Sequence, residues 1–197
     1  MNENYEFTNK WCLWYHSIND NTWGNNSYKL LLEINNLYDL KIMLDHIRNE
    51  YFHNSMLFLM RKGIFPNWED NNNIKGSCIS LKITNRDILK QWELLTSLII
   101  THKLFNSDSK NKNINGLSIT PKKEFNIFKL WFKIDTRNLK GINIHKPYLI
   151  NKNFMYKKNN QELVDPKPPV PRSLKLNSST NIKPNGRSVG LQIWNNL

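Results

Sequence analysis

Strand-like apolar runs alternate with two segments of helical spacing over the first two thirds of this 197-residue chain. The runs are short and end in asparagine-rich turns, which is typical of antiparallel strands joined by tight connections. The predicted strands are 10–15, 28–34, 55–61, 77–84, 117–121 and 127–134, and the predicted helices are 37–50 and 86–102. This order predicts an α+β fold in which helices cover one face of an antiparallel sheet and leave the other face open.

Local signals refine this prediction at three places. Asn36 is the predicted N-cap of the first helix, with Asp39 three residues later. The hairpin over 117–134 is predicted to turn at Lys122-Lys123-Glu124. Segment 151–188 is rich in Lys, Asn and Pro, which predicts loop or partly disordered chain, and a last strand is predicted over 189–194.

The sequence lacks the features of membrane and secreted proteins. No apolar run approaches the roughly 18 residues that span a bilayer, and the first ten residues have neither the basic nor the apolar region of a secretory signal. Cys12 and Cys78 each lie in an apolar strand-like run, where a buried, reduced thiol is expected. We therefore expect a cytoplasmic, monomeric protein with one domain over 1–197.

Positive charge is concentrated in the second half of the chain. Residues 1–100 hold 10 Lys and Arg against 11 Asp and Glu, whereas residues 101–197 hold 18 against 5. A cationic half indicates a polyanionic partner such as nucleic acid. The alternative is that lysines only keep the protein soluble, because the chain has no alanine and many Asn, Lys and Ile. That bias is expected from the AT-rich codons of a parasite or a large DNA virus.

Two of the seven tryptophans lie outside any apolar pattern. Trp11, Trp14 and Trp92 lie in apolar strand or helix patterns and are predicted core residues. Trp23 and Trp68 lie in polar loops, and Glu69 follows the second of them directly. For each loop tryptophan, folding back on the core is the alternative to ligand contact. A pair of exposed indoles on a basic protein favours recognition of a flat ligand.

The chemistry of such a pair narrows the ligand. Two indoles about 7 Å apart sandwich a planar ring, and a cationic ring gains roughly 0.5–2 kcal/mol of cation–π attraction. A carboxylate beside the rings accepts the two parallel N–H donors of a guanine edge, which adenine lacks. A nearby lysine pair would bind phosphates. Guanine methylated at N7 and joined to a polyphosphate is the cap of an mRNA.

At these residues the chain resembles eukaryotic translation initiation factor 4E, the mRNA cap-binding family. The resemblance covers 8–135, after a tail of 1–7, and is faint over the basic part 136–197. The Gly-Ile-x-Pro-x-Trp-Glu-Asp string is its most specific element. The matching stretches, in family order, are 10–15 (KWCLWY), 21–23 (NTW), 45–47 (DHI), 62–70 (KGIFPNWED), Trp92 and 129–131 (KLW).

The resemblance implies a curved antiparallel sheet with helices on its convex face and the cap in its concave face. Trp23 and Trp68 match the two stacking tryptophans, and Glu69 matches the carboxylate that reads the guanine edge. Trp131 matches the tryptophan that touches the N7-methyl group. The apolar strand around Trp131 would by itself indicate a core residue, so here the resemblance decides.

The resemblance is weaker for the phosphates. Lys122 falls where the family has an arginine, and Ile127 replaces the second phosphate-binding lysine. Lys123 or Lys129 is the expected substitute. In the basic C-terminal part, the expected RNA contacts are Lys175, Lys183 and Arg187. The alternative there is a solvated tail.

The partner surface departs furthest from the family. The family binds a Tyr-x4-Leu-hydrophobic helix with a tryptophan on the first helix and two leucines on the second. The corresponding residues here are Lys41, Glu93 and Ser97, although a one-residue slip offers Leu94 and Leu98. The predicted partner surface comprises Phe7, Leu37, Lys41, Glu93 and Ser97. We expect a divergent scaffold resembling initiation factor 4G, a 4E-binding protein, or no scaffold.

The sequence favours a binding protein over an enzyme. The seven glycines form neither a G-x-G-x-x-G motif nor a P-loop, and the five histidines are scattered. We expect no catalytic residue, no metal and no cofactor. Three functions remain open: a cap-binding initiation factor, a cap-sequestering repressor without scaffold contact, and a general single-stranded RNA binder.

Overall fold

Seven strands form one antiparallel sheet, in the spatial order β2-β1-β3-β5-β6-β4-β7. The computed structural model describes residues 5–138, 140, 142 and 154–160. The strands are β1 Glu6–Ser17, β2 Tyr28–Asn36, β3 Ser55–Arg61, β4 Ser77–Thr84, β5 Ile114–Pro121, β6 Phe125–Phe132 and β7 Phe154–Lys158. The six predicted strands are confirmed: three are longer than predicted, two have the predicted bounds, and β6 begins and ends two residues earlier. The predicted α+β class and curved antiparallel sheet with helices on its convex face are likewise confirmed.

Four helices connect these strands in the described part of the chain. They are α1 Leu37–His46, α2 Tyr51–Asn54, α3 Ile88–Ile100 and α4 Asp108–Lys112. The predicted cap of α1 is confirmed, because the Asn36 side chain accepts the backbone N–H of Asp39 at 2.9 Å. The capping oxygen supplies one of the acceptors that a helix N-terminus otherwise lacks.

The first helix ends four residues earlier than its apolar spacing predicts. The Ile47 N–H forms the last helical hydrogen bond, to the Met43 carbonyl. The helix ends there because the backbone of Ile47 itself is extended (ψ 133°). The Arg48 guanidinium donates to the Asp45 carbonyl, and the His46 ring is bonded to the Ile42 carbonyl at 2.8 Å. The Arg48 side chain thus satisfies the Asp45 carbonyl, which the backbone N–H of residue 49 would have used in a longer helix.

The main core fills the space between the sheet and the helices. Trp92, Leu95 and Ile99 of α3 face the sheet and are buried, at the i, i+3, i+7 spacing of one helix face. Trp11 of β1 lies in the same core, as predicted. Burial of large aromatic and aliphatic side chains on this side fixes which face of every strand points to the helices.

A second, smaller apolar cluster lies on the opposite face of the sheet, called here the open face. It joins residues from several strands because side chains alternate along each strand. Trp14 packs against this cluster rather than the main core and is only half-buried. The buried members are Tyr28, Phe58, Met60, Cys78 and Trp131.

The loop predicted over 151–188 is wrong at 154–158 and agrees with the structure at 159 and 160. Residues 154–158 form strand β7, which pairs antiparallel with β4 from Ser77↔Lys158 to Leu81↔Phe154. Local composition there is typical of a loop, and the strand exists because it pairs with an otherwise free sheet edge. Helix α4 likewise has no counterpart in the prediction. The strand predicted over 189–194 and the rest of 161–188 lie outside the described residues, so the single-domain prediction over 1–197 stays a prediction.

Candidate functional site

Trp23 lies at the rim of the open face on the loop between β1 and β2. Its indole is 51% exposed and stacks on the His16 ring, with centroids 4.4 Å apart and planes 12° from parallel. Its backbone is left-handed (φ 51°), which costs about 1–3 kcal/mol for a residue other than glycine. The turn before it is held by Asp20, whose carboxylate accepts the N–H and hydroxyl of Thr22 at 2.8 and 2.6 Å. Those two hydrogen bonds lower the pKa of Asp20.

Trp68 lies on the loop between β3 and β4, and Asp70 organises that loop. One carboxylate oxygen of Asp70 accepts the Phe65 N–H at 2.9 Å, and the other accepts the backbone and side-chain N–H groups of Asn72. The fully buried Asn73 side chain donates to the carbonyls of Phe65 and Asn67. The loop is therefore fixed from inside by side chains while the Trp68 indole stays 47% exposed.

The two adjacent acids of this loop differ in role. Both carboxylate oxygens of Asp70 accept hydrogen bonds from the loop. Glu69, in contrast, is exposed and has no hydrogen bond or ion pair within the described residues. The Glu69 charge acts on Tyr28 of the open face. Burial first, and the Glu69 carboxylate second, raise the pKa of Tyr28 to about 12. An unpaired carboxylate beside an exposed indole is free to accept donors from a ligand.

The two loops meet in one aromatic network. His16 contacts Tyr28 edge-on at 4.8 Å, and Tyr28 contacts Phe65 at 5.0 Å, so Trp23 and the Trp68 loop join through Tyr28. Phe65 also contacts Trp14 at 5.4 Å. Sequence reasoning did not identify His16 or Tyr28. The available signal was strand alternation, since His16 follows Trp14 by two residues and shares its face.

Trp131 lies on the open face, near the C-terminal end of β6. It is 5% exposed, and its indole N–H donates to the Ser118 hydroxyl at 2.9 Å. Trp131 is therefore buried, as its apolar strand predicts, but in the smaller cluster on the open face rather than in the main core. The Lys129 ammonium lies 5.4 Å from its ring centroid.

The predicted phosphate-binding lysines lie on the β5–β6 hairpin, at its turn and along β6. Lys122 and Lys123 are in the β5–β6 turn, about 20 Å along β6 from Trp131 by strand geometry. Lys129 is the nearest of them to Trp131. The predicted RNA contacts Lys175, Lys183 and Arg187 lie outside the described residues.

The predicted partner surface lies on the helix side of the sheet. Lys41 is exposed and pairs with Asp45 one turn later on α1 at 2.6 Å, and Leu37 is 51% exposed. Phe7 is half-buried against the main core. On α3, Glu93 and Ser97 of one predicted alignment and Leu94 and Leu98 of the alternative are all half-buried.

An apolar pocket of about 410 Å³ opens beside this surface. It lies between the β1–β2 pair and the α1–α2 segment, and its walls include Tyr15, Leu31, Met43 and Tyr51. Leu31 and Tyr51 are themselves exposed, so part of the apolar wall faces solvent. Exposed apolar surface of this kind is characteristic of interaction sites.

The described residues contain neither a metal site nor a membrane-spanning helix. No group of three His, Cys, Asp or Glu side chains there is arranged to hold a metal ion. Within the same residues, no helix is both long and apolar enough to cross a membrane.

The fold and its rim define a class of protein, an α+β module with a helix-covered sheet and tryptophan-bearing loops around the open face. The model of the eukaryotic initiation factor 4E family matches residues 6–169. The chain therefore belongs to the eukaryotic initiation factor 4E family.

One curated relative and several solved structures are similar to the chain. A eukaryotic translation initiation factor 4E homolog of Acanthamoeba polyphaga mimivirus is 33% identical over 82 residues, which are 42% of this chain and 27% of that protein. C. elegans eIF4E-3, solved with the 4E-binding protein Mextli and a cap analog, has a TM-score of 0.67 and 21% identity over 83% of this chain and 98% of its own. Ascaris suum eIF4E-3 with m7G cap has a TM-score of 0.65 and 19% identity over 86% and 99%. These structures share the fold.

Proposed function

We propose that this protein binds the 7-methylguanosine cap of mRNA by stacking the methylated base between Trp23 and Trp68, and thereby promotes translation initiation. The family and the solved relatives, which include cap complexes, support cap binding in translation. Glu69 reads the guanine edge and Trp131 contacts the methyl group in this proposal. The protein acts as a binder without catalysis, in the cytoplasm, where mRNA is translated.

One observation carries the proposal. Two large indoles remain about half exposed although hydrogen bonds of Asp20 and Asp70 fix their loops. Exposure of an indole on an ordered loop costs apolar burial that folding would otherwise gain. A ligand that stacks on both rings recovers that burial, and a cationic base adds cation–π attraction.

The test is a tryptophan-fluorescence titration with 7-methyl-GTP and with GTP. We expect strong quenching by 7-methyl-GTP and little by GTP. Trp23→Ala and Trp68→Ala should each lose most of the affinity, because one-sided stacking loses the sandwich. Tyr38→Ala is the matched control, since Tyr38 is a 68% exposed aromatic residue on α1. Equal binding of both nucleotides would favour the general single-stranded RNA binder, and wild-type affinity in either Trp variant would contradict the stacking pair.

We propose a 4E-binding protein or a divergent scaffold resembling initiation factor 4G as the protein partner. The C. elegans relative was solved with the 4E-binding protein Mextli, and a Schistosome eIF4E with 4E-BP. The apolar pocket beside α1 supplies a contact for an apolar segment of such a partner, whereas Lys41 on α1 is charged and paired. The repressor alternative, in which no scaffold binds, rests on that same charged position.

A further inference from the structure

Three lysines on the open face form a group that we call the lysine triad: Lys82 of β4, Lys129 of β6 and Lys157 of β7. Sequence reasoning singles out only Lys129. Lys157 lies in a strand where the sequence predicts loop, so its neighbours were not predictable. Lys82 alternates with buried residues of β4. That pattern places Lys82 on the face of the strand opposite the main core, but it does not indicate a function.

Strand register places the three lysines on the same face as Trp131. Cys78 of β4 pairs with Trp131 on one side and with Lys157 on the other. Lys129 and Lys82 belong to the same alternating set, through the pairs Ser80↔Lys129 and Lys82↔Ile127. Directly paired residues of antiparallel strands project to one face. Strand spacing puts the Cα atoms of Lys129 about 8 Å from Lys82 and about 12 Å from Lys157, within reach of a single extended anion.

The triad lacks carboxylate partners within the described residues. Lys82 lies over the Phe125 ring at 4.1 Å and Lys129 over the Trp131 ring at 5.4 Å, but neither forms an ion pair there, and Lys157 forms none either. Lys158, the next residue of β7, points the other way and pairs with Asp135 at 3.5 Å. Three like charges on one face repel each other until an anion binds among them.

The Cys78 thiol lies beside the triad and does not neutralise it. Its Sγ donates to the Asn159 side chain at 2.9 Å. Burial raises the pKa of Cys78 to about 12, although the charges of Lys129 and Lys157 act to lower it. The thiol is therefore uncharged near neutral pH, and the field over this part of the sheet is positive.

The same strand register explains why Ile127 can differ from the lysine that the family has at this position. Ile127 stands where the family's second phosphate-binding lysine is expected, and its direct cross-strand partner is Lys82. The charge is thus present on the neighbouring strand, on the same face. A lysine ammonium is a compact cation on a flexible stem, so such a shift preserves its ability to reach phosphate oxygens.

We propose that the lysine triad binds the phosphate groups that follow the methylated guanosine of capped RNA. This inference rests on the proposed cap-binding function and assigns phosphate contacts to residues of β4, β6 and β7. The shared chemistry is that of phosphate oxygen anions, which come from two sources: the triphosphate bridge of the cap and the backbone of the attached RNA.

The test compares wild type with Lys82→Gln, Lys129→Gln, Lys157→Gln and the triple variant in the full chain. The ligands are 7-methyl-GMP, 7-methyl-GTP, GTP and a short capped RNA, each titrated at low and raised salt. Lys158→Gln is the matched control, because it removes the same charge from the adjacent residue of β7 on the other face. Thermal melting of each variant reports folding, which we expect to be unchanged since the triad lies at or near the surface.

The expected result is a drop in affinity of about tenfold or more in the triple variant with a polyphosphate ligand and little change with 7-methyl-GMP. The slope of log affinity against log salt should become shallower by about 0.7 for each lysine–phosphate pair that the substitutions remove. If the full loss of affinity is already seen with 7-methyl-GTP, the triad binds the triphosphate bridge. If affinity is lost only with capped RNA, the triad binds the RNA backbone. Unchanged affinity and slope in the triple variant, or an equal drop with 7-methyl-GMP, would overturn the proposal.

Failure of the cap-binding function itself has a different signature. In that case wild type would bind 7-methyl-GTP and GTP equally, whatever the triad does. If the triad substitutions lowered the affinity for GTP while wild type did not prefer 7-methyl-GTP, the phosphate site would be supported and only the cap-binding function would be rejected.

Discussion

At the scale of single residues, the two adjacent carboxylates of the β3–β4 loop differ in their hydrogen bonding. Asp70 accepts three N–H donors from its own loop, whereas Glu69 accepts none within the described residues. The charge of an unpaired carboxylate is stabilised by solvent until a ligand replaces the water. Only Glu69 can therefore exchange water for ligand donors without breaking the loop.

Glu69→Gln should weaken binding of 7-methyl-GTP by roughly tenfold or more, because hydrogen bonds to a charged acceptor are worth about 1.5–3 kcal/mol. Discrimination between guanine and adenine nucleotides should fall with it. Competition titrations of both methylated nucleotides measure the two effects. Glu33→Gln is the control, since Glu33 is a carboxylate of β2 that pairs with Lys62. Unchanged base selectivity would mean that another group reads the guanine edge.

His16 is the second residue with a defined role beside the predicted pocket. Its ring is fully buried, stacks under Trp23, and has no hydrogen-bond partner for either nitrogen among the described residues. A buried polar atom without a partner costs about 1–3 kcal/mol, so the ring is kept at a cost. The stacking on Trp23 is the contact that explains its position.

His16→Phe should retain the stacking and raise the free energy of unfolding by about 1 kcal/mol, since it removes two unpartnered nitrogens. His16→Ala should lower cap affinity several-fold, because Trp23 loses its support, and should lower stability by about 2–4 kcal/mol. Urea unfolding and 7-methyl-GTP titration measure the two effects separately. Equal cap affinity in both variants would show that the stacking does not position Trp23.

The exposed residues of this site could be predicted from the sequence better than the buried ones. Trp23 and Trp68 were separable from core tryptophans because their neighbours are polar, a property that local sequence contains. The contact of His16 with Trp23 depends on how a loop folds back over a strand, which no local pattern encodes. The pairing of Lys82 with Ile127 likewise requires the register between β4 and β6.

At the scale of elements, the β3–β4 loop is held by side chains rather than by regular backbone pairing. Gly63 begins it with a left-handed backbone (φ 87°), which glycine adopts without strain. Asn115 of β5 then donates to the Asn72 carbonyl at 2.8 Å and the Asn73 side chain at 3.0 Å, tying the loop to the sheet. The exposed Trp68 depends on this framework for its position.

Asp70→Ala should lower cap affinity although Asp70 is not proposed to touch the ligand. Removal of its three accepted hydrogen bonds frees the loop and adds ordering entropy to the binding of the base on Trp68. We expect a drop of about 2 kcal/mol in the free energy of unfolding as well. Denaturant unfolding and nucleotide titration are the measurements. Asn71→Ala, an exposed neighbour without a hydrogen bond in the described structure, should leave both values unchanged, and the same behaviour in Asp70→Ala would refute the supporting role.

Elements with strong local signals were predictable, and those created by tertiary pairing were not. The cap at Asn36 and the apolar face of α3 are encoded within a few residues, so both were found. The sequence of β7, FMYKK, lies within a Lys- and Asn-rich stretch that predicts loop, and its pairing with β4 determines its structure. The early end of α1 is instead a local effect, in which the Arg48 side chain donates to the Asp45 carbonyl although the apolar spacing continues.

At the scale of the whole molecule, the two faces of the sheet have different chemistry. The open face combines aromatic rings with the lysine triad, which suits a stacked base followed by phosphates. The helix side combines a charged position on α1 with the apolar pocket next to it. RNA and a protein partner can therefore bind on opposite sides without competing for the same residues.

The charged position on α1 leads to a prediction about partner choice. A peptide of the Tyr-x4-Leu-hydrophobic pattern would bury Lys41 and separate it from Asp45, so we expect wild type to bind such a peptide weakly. Lys41→Trp should raise the affinity at least tenfold, because it replaces a desolvated charge with aromatic contact area. Fluorescence anisotropy of a labelled peptide measures this, with Lys29→Trp on β2 as the control for adding an indole elsewhere. Tight binding by wild type, equal to that of Lys41→Trp, would show that the salt bridge does not exclude partners of the usual pattern.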